Sequence, residues 1–438
     1  VDATYEGDLA ASSGVPFTVR REGKKDYGEE GAGVYFQAWE SDKVGEGSTG
    51  EGDDAIQAYN YRMCLTDHPE NRIDITQPVN YDRNEYVSLI DDLKYDRKPG
   101  EHSYEMEWDG IGRVTNIVEL PNGKTDANNQ HLAFISTDLP EENWPWPTAD
   151  WAWRDQFALR LREYTLGLLW FIQNDPEVPE PFRTNARKYG LAADEYVDNG
   201  NFPRQVYVRE GRRIIGESIF LAHDAFPETP GGRPPVHPDS VTASHYAIDS
   251  HAVRKRDTTV ERDHLDGFLN RRSKPYTVPY GVMVPKKVRN LWVPVAVSSS
   301  HLGLGTIRME PCWMCLGEVA GLAASLASRF RVPARQVPVD ILQKELVKRK
   351  AMLIYYTDVD MDDSAYEAVQ YFALQGVLPG WTADLDQVVT ANEFSRWAEL
   401  AHVSGEACVG KMKRREALMM LWEKVWQRAD SAHYAEKA

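Results

Sequence analysis

Two stretches carry a helical period long enough to place elements from pattern alone. Between Trp151 and Asn174 the apolar residues Trp153, Phe157, Leu161, Tyr164, Leu168 and Phe171 recur at three- and four-residue steps. Asp155, Arg160, Arg162 and Glu163 lie between them, which predicts one long amphipathic helix. Asp150 is placed to cap its start, and Pro176 closes it. The second is Glu310–Phe330, rich in Ala and Leu with Pro311 in its first turn. Gly317, Gly321, Ala320, Ala323 and Ala324 predict a face on it that packs closely against a neighbour.

Shorter signals fill in the rest. Tyr86, Leu89, Ile90 and Leu93 predict a short helix over Asn84–Leu93, and another spans Pro181–Tyr189 up to Gly190. Tyr59–Leu65 reads as extended chain, and Pro121-Asn122-Gly123 as a turn. Asp2–Ala11 reads as strand end, turn and helix start, and the chain is expected to begin mid-domain. Ser12–Asp54 is rich in Gly and charge, with Tyr27, Tyr35, Phe36 and Trp39 interleaved, and predicts an irregular loop region. Leu291–Val297 predicts a buried strand, and Ser298–Thr306 a small-residue loop with Gly303 and Gly305. Val332–Pro338 reads as a linker to a helix at Val339–Lys350. Helices at Ser364–Gln375, Asn392–Ala401 and Lys411–Trp426 then predict a separate small helical unit.

Composition narrows the function classes. The 438 residues include 67 acidic and 50 basic side chains, a formal charge of −17, which argues against nucleic-acid binding. Hydrophobic residues at 42% supply a large core, which excludes general disorder. No apolar run approaches the roughly 18 residues of a membrane span. With 4 cysteines a disulfide scaffold is excluded.

The candidate chemistry begins at the small-residue loop before Glu310, because a helix start offers unpaired N–H groups to an anion. Arg209, Arg212 and Arg213 lie close together, a pattern suited to an anionic substrate group or a developing oxyanion, or to salt bridges with the carboxylate surplus. His251 and His301 are candidate acid/base groups near neutral pH. Asp126, Asn128 and Asn129 are candidates for holding a polar substrate. Cys312-Trp313-Met314-Cys315 has the spacing of a redox pair, but outside a thioredoxin-like context it reads as two small helix residues. Cys64 and Cys408 are isolated, so no zinc site is expected.

Several of these residues sit in motifs that resemble a known family in sequence order. Asp2-Ala3-Thr4-Tyr5-Glu6-Gly7-Asp8-Leu9-Ala10-Ala11 resembles a segment of FAD-dependent oxidoreductases of the glutathione-reductase-like superfamily, in particular the xanthan-lyase-associated bacterial type. Lys124–Asn129, Tyr207–Arg213, Tyr246–His251, Pro275–Tyr280, Ser298–His301 and Arg308–Pro311 follow as further landmarks. The resemblance implies an α/β fold: a partial FAD/NAD(P)-binding Rossmann-type domain with an inserted mixed α+β substrate domain. The expected division is 1–55 and 286–332 for the FAD domain, 56–285 for the substrate domain, and 339–438 for a helical appendage. It implies FAD as cofactor, with Thr4, Gly7, Gly305, Arg308, Met309 and Glu310 contacting it. His251, His301 and Arg209 would be catalytic, and Arg212, Asp126 and Asn128 would bind substrate.

The same resemblance places a Gly-x-Gly-x-x-Gly strand–turn–helix upstream of Asp2. No such unit is read within the chain, so FAD binding by residues 1–438 is expected to be weak or absent. The stretch from Tyr356 to Phe394 resembles a single S-layer homology repeat, which slightly favours an extracytoplasmic or cell-surface location. The implied activity is hydride transfer between FAD and an organic, carbohydrate-like substrate. The alternative is a non-catalytic surface or polysaccharide-binding protein with a degenerate flavin domain.

Overall fold

The computed structural model describes residues 1–37, 43–99, 110–131, 133–260, 264–404, 408 and 410–435. Trp39 lies outside the described residues. The chain divides into two compact units. The first comprises Val1–Thr18, Arg213–Ile248 and Arg272–Ala438, and the second Val19–Arg212 and Asp249–Arg271. No helix of the described residues is long and apolar enough to cross a membrane.

In the first unit the helix Glu310–Phe330 forms over the expected span. Leu316, Val319, Ala320, Ala323 and Leu326 are buried on one of its sides. The glycine side behaves otherwise: a Cβ added at Gly317 or Gly321 would meet nothing within 4 Å. The close-packed face expected from the small residues is therefore the alanine stripe alone. Ser298–Thr306 also departs from expectation, since His301–Ile307 is a helix. Ser300 caps it by accepting from the Gly303 N–H at 2.9 Å. All seven of its residues are buried, and a Cβ at Gly303 would lie 2.3 Å from the Phe220 carbonyl oxygen. Close packing here overrides the weak helix propensity of glycine.

Leu291–Val297 is not a strand. Pro294 has no N–H to give, and the segment is held by single backbone bonds instead. Asp2 N–H donates to Trp292 O at 2.9 Å, Val293 N–H to Met283 O at 2.8 Å, and Ile214 N–H to Ala296 O at 3.1 Å. Asp2–Thr4 thus lies beside Leu291–Val297, as the family pattern anticipates, but not as a paired strand. The strands of this unit, Phe17–Thr18 with Arg213–Ile214 and Ser240–Ser244 with Tyr276–Pro279, are antiparallel two-stranded pairs. A Rossmann-type parallel sheet is not formed by the named strands of the described residues.

The C-terminal helices form at Val339–Lys348, Tyr366–Ala373, Ala391–Leu400 and Arg414–Ala435. They do not stand apart from the rest of the unit. One apolar cluster runs from Phe220 and Val278 through Leu316 and Ala323 to Phe372, Phe394 and Leu421. Polar ties reinforce it. Arg233 lies between the rings of Tyr356 and Trp381 at 4.4 and 4.3 Å, and donates to Gly380 O at 2.6 Å. The Thr390–Phe394 stretch of the repeat-like segment is a capping box: Glu393 N–H donates to Thr390 Oγ1, and Thr390 N–H to Glu393 Oε2.

The second unit is built on a five-stranded antiparallel sheet. Its order is Arg72–Ile73, Gly190–Ala192, Met63–Thr66, Lys124–Asn129, Thr115–Leu120. Met63 pairs with Ala127 and Leu65 with Thr125. The helix Trp151–Asn174 buries Phe157, Leu161, Leu168 and Phe171, with Asp150 accepting from the Trp153 N–H as expected. The shorter helices are Ser88–Lys94 and Glu180–Ala186. The irregular segment before Asp54 contains one literal Gly-x-Gly-x-x-Gly, Gly45-Glu46-Gly47-Ser48-Thr49-Gly50, which pattern reading passed over. It runs back antiparallel to Val34–Gln37: Val44 bridges Gln37, Gly45 N–H donates to Phe36 O, and Thr49 and Gly50 N–H both donate to Val34 O. Among the described residues no named strand feeds it and no helix follows it directly, so it lacks the geometry of a dinucleotide turn.

Candidate functional site

The strand Lys124–Asn129 alternates half-buried and buried side chains, which places Asn129 on the buried side at its end. There the amide groups meet Arg209, which is 1% exposed. Arg209 Nη2 donates to Asn60 Oδ1 at 3.0 Å and to Asn129 Oδ1 at 3.1 Å, with Asn128 Oδ1 at 3.4 Å. Its Nη1 donates to Ala58 O at 2.6 Å and to Asp138 Oδ1 at 2.8 Å.

Asp138 is the junction of the site. Its second oxygen, Oδ2, lies 2.7 Å from His251 Nδ1. An ionised carboxylate only accepts, so Nδ1 carries the hydrogen and the imidazole is fixed in orientation. Asp249 Oδ2 stands 3.6 Å from His251 Nε2, on the far side of the ring. The His251 backbone N–H donates to Gln57 Oε1 at 3.2 Å, and Gln57 N–H donates to Glu210 Oε2 at 3.1 Å. Gln57 Nε2, in a residue with no exposed surface, has no acceptor among the described residues.

Asp138 also lines a cavity of about 400 Å³ within this unit. One wall is apolar, with Phe134, Ala252, Leu265 and Phe268 forming a buried cluster. Tyr164 lines it too, and its hydroxyl donates to Ser136 O at 2.9 Å. Burial pushes the Tyr164 phenol well above its ordinary range, so it is a neutral donor rather than a proton carrier.

Beside this cavity lies an ionic quartet whose Arg21 and Asp266 are buried. Arg21, with no exposed surface, donates to Asp53 through Nε and Nη2, both at 2.8 Å, and to Asp266 through Nη1 at 2.7 Å and Nη2 at 2.9 Å. Arg254 closes it, reaching Asp266 at 2.5 Å and Asp53 at 2.7 Å. Burial alone would raise the Asp53 carboxyl, but Arg21 and Arg254 outweigh it and hold Asp53 well below the usual range.

The expected site residues therefore separate. Arg209, His251, Asn128 and Asn129 converge on Asp138. Asp126 points elsewhere: it pairs with Arg62 and lines a surface groove with Cys64, Lys124 and Tyr196. Arg212 is half-buried at the end of the unit's first stretch. Arg209 is enclosed, with its guanidinium bonded to Ala58 O and Asp138 rather than open to the cavity. Asp138 and Gln57 were not singled out by sequence reading, because neither lies in a motif or a periodic segment and only long-range contacts identify them.

The residues assigned to the cofactor lie in the first unit. Thr4 Oγ1 donates to Asp2 Oδ1 at 2.8 Å and accepts from Gly7 N–H at 3.1 Å, while Asp2 Oδ2 accepts from Ala10 N–H at 2.8 Å. Gly7 has φ +64, a left-handed conformation that favours glycine. The Tyr5 ring meets Trp313 edge-on at 5.2 Å, which brings this turn to the start of the helix Glu310–Phe330. His301, Gly305 and Arg308 are buried, and Met309 and Glu310 are half-buried at the helix start. Cys312 is buried, and burial pushes its thiol up to about 12, which disfavours the thiolate that disulfide exchange uses.

This set fits one side of a flavin nucleotide. Met309 supplies no side-chain cap to the helix of 21 residues, and the buried Ser299 Oγ nearby in sequence has no partner among the described residues. Thr4, Gly7, Met309 and Glu310 are the residues that would hold that side. The family model for FAD dependent oxidoreductases matches residues 1–346. No curated protein and no solved structure matches the chain. With most of its length matched, the chain belongs to the FAD dependent oxidoreductase family and is an FAD-dependent oxidoreductase enzyme.

Proposed function

We propose that the cavity of the second unit takes the small-molecule substrate and that Asp138 with His251 handles the proton of the redox step. The carrying observation is that Asp138 lines the cavity while holding His251 Nδ1 at 2.7 Å and Arg209 Nη1 at 2.8 Å. FAD, held by Thr4, Gly7, Met309 and Glu310, would supply the acceptor for a hydride from a substrate C–H bond. Loss of that hydride leaves a neighbouring O–H or N–H proton to be removed, and a group within hydrogen-bond reach must accept it. Of the two carboxylates that line the cavity, Asp138 is the one bonded to a histidine: His251 is its partner on the buried side, and Arg209 fixes the carboxylate plane.

Substitution tests this through flavin reduction. Asp138→Asn and His251→Asn should each slow substrate-driven bleaching of the flavin by about 10²–10⁴-fold, the range of a general acid or base. The double variant should be little slower than either single one, because the two act as one unit. Arg209→Ala should shift the pH profile of the rate, and Arg209→Lys should restore part of it. Wild-type reduction rates in both Asp138→Asn and His251→Asn would refute the assignment.

A further inference from the structure

Five formally charged Asp, Glu, Lys and Arg residues line the cavity of the second unit: Glu85, Asp138, Arg254, Lys255 and Arg256. Each is already matched by an opposite charge. Arg160 pairs with Glu85, and Arg209 with Asp138. Asp53 and Asp266 hold Arg254, Glu142 holds Lys255 at 2.6 Å, and both oxygens of Asp92 hold Arg256. An anion entering here would have to break an existing pair and lose its own hydration to do so.

Four of the polar side chains of the lining are also engaged elsewhere. Ser136 Oγ accepts from Asp138 N–H, Tyr164 OH donates to Ser136 O, Asn129 Oδ1 accepts from Arg209, and Gln130 Nε2 donates to Gly112 O. A hydroxyl-rich sugar would leave many of its own groups unpaired against such a wall. Beside them lies apolar surface. Phe134, Ala252, Leu265 and Phe268 form it, and the Arg256 guanidinium lies 3.9 Å over the Phe134 ring.

From this matched charge and apolar wall we infer that the substrate class is a neutral, ring-bearing molecule with one reacting polar group. Its ring lies on the Phe134–Phe268 wall and its polar group faces Asp138. The inference rests on the reading of this cavity as the substrate site.

Calorimetric titration of the full chain separates the two. The probes share one ring system: 2-naphthylmethanol is neutral, 2-naphthoate anionic and 2-naphthylmethylammonium cationic, with cellobiose as the saccharide. The alcohol should bind at least tenfold more tightly than either ion or cellobiose. Ala252→Trp, which fills the cavity, and Thr258→Trp, on its exposed rim where folding is not at risk, should each weaken the alcohol at least tenfold. Tighter binding of naphthoate, the ammonium or cellobiose overturns the neutral-ring class and leaves the cavity as the substrate site. Alcohol binding that survives both tryptophan variants overturns the inference as well. If no probe binds and Ala252→Trp abolishes flavin reduction by the physiological substrate, the class is wrong and the site stands. If no probe binds and both variants turn over like wild type, the site reading fails with it.

Discussion

Replacing Arg21 by Leu should be among the most damaging single changes in the second unit. The guanidinium has no exposed surface and makes four charge-assisted hydrogen bonds to Asp53 and Asp266. Without it, two carboxylates face each other with Arg254 as their shared cation, and Arg254 has 35% of its side chain exposed. Breaking a buried pair by removing one partner costs about 3–5 kcal/mol. At a urea m-value of roughly 2–3 kcal/mol/M, the unfolding midpoint should fall by about 1–2 M. The effect should depend on pH with a definite sign. Asp53 is held below its unfolded value, so its stabilising contribution is present above the ordinary carboxylate range and lost as pH falls through and below it. In Arg21→Leu that depression is largely gone, so acid costs the variant less. The gap between wild type and variant should be widest near pH 7 and narrow towards pH 2, below the ordinary carboxylate range. Urea unfolding followed by tryptophan fluorescence at both pH values measures it. A loss below about 1 kcal/mol at pH 7, against the 3–5 expected for a broken buried pair, would refute the reasoning, as would a gap that widens in acid.

Three further outcomes follow from the structure. Gly317→Ala and Gly321→Ala meet open space, so each should stabilise the helix by about 0.5–1 kcal/mol in thermal unfolding; destabilisation would mean that this face is packed against something. Deleting residues from Ala351 onward removes Phe372, Phe394 and Leu421 from a shared core, and should yield aggregated or unfolded first unit by circular dichroism, not a folded remainder. Thiol labelling of the native chain should modify the exposed Cys315 and spare Cys312, whose thiol burial pushes up to about 12; equal rates would contradict its burial.

Both long helices were legible because their information is local. Trp151–Asn174 carries its own period and its own cap at Asp150, and Glu310–Phe330 carries its own alanine stripe and Pro311. The Thr4–Gly7 turn was legible as a motif, since the Asp2 carboxylate binds partners no more than eight residues away. Where backbone pairing depends on neighbours, pattern misled. Pro294 denied Leu291–Val297 a ladder, close packing turned the glycine-bearing Ser298–Thr306 region into a helix, and Gly45–Gly50 matched a spacing without its strand and helix. Charge alone also left the arginines near Tyr207 ambiguous between anion binding and salt bridging. Arg209 is decided by Asp138, 71 positions away, and His251 by the same carboxylate at 113. Arg21 and Asp266 meet across 245 positions. Such pairs leave no period or spacing in the chain, because each charge is tolerated in the interior only once the fold has brought its counterpart beside it.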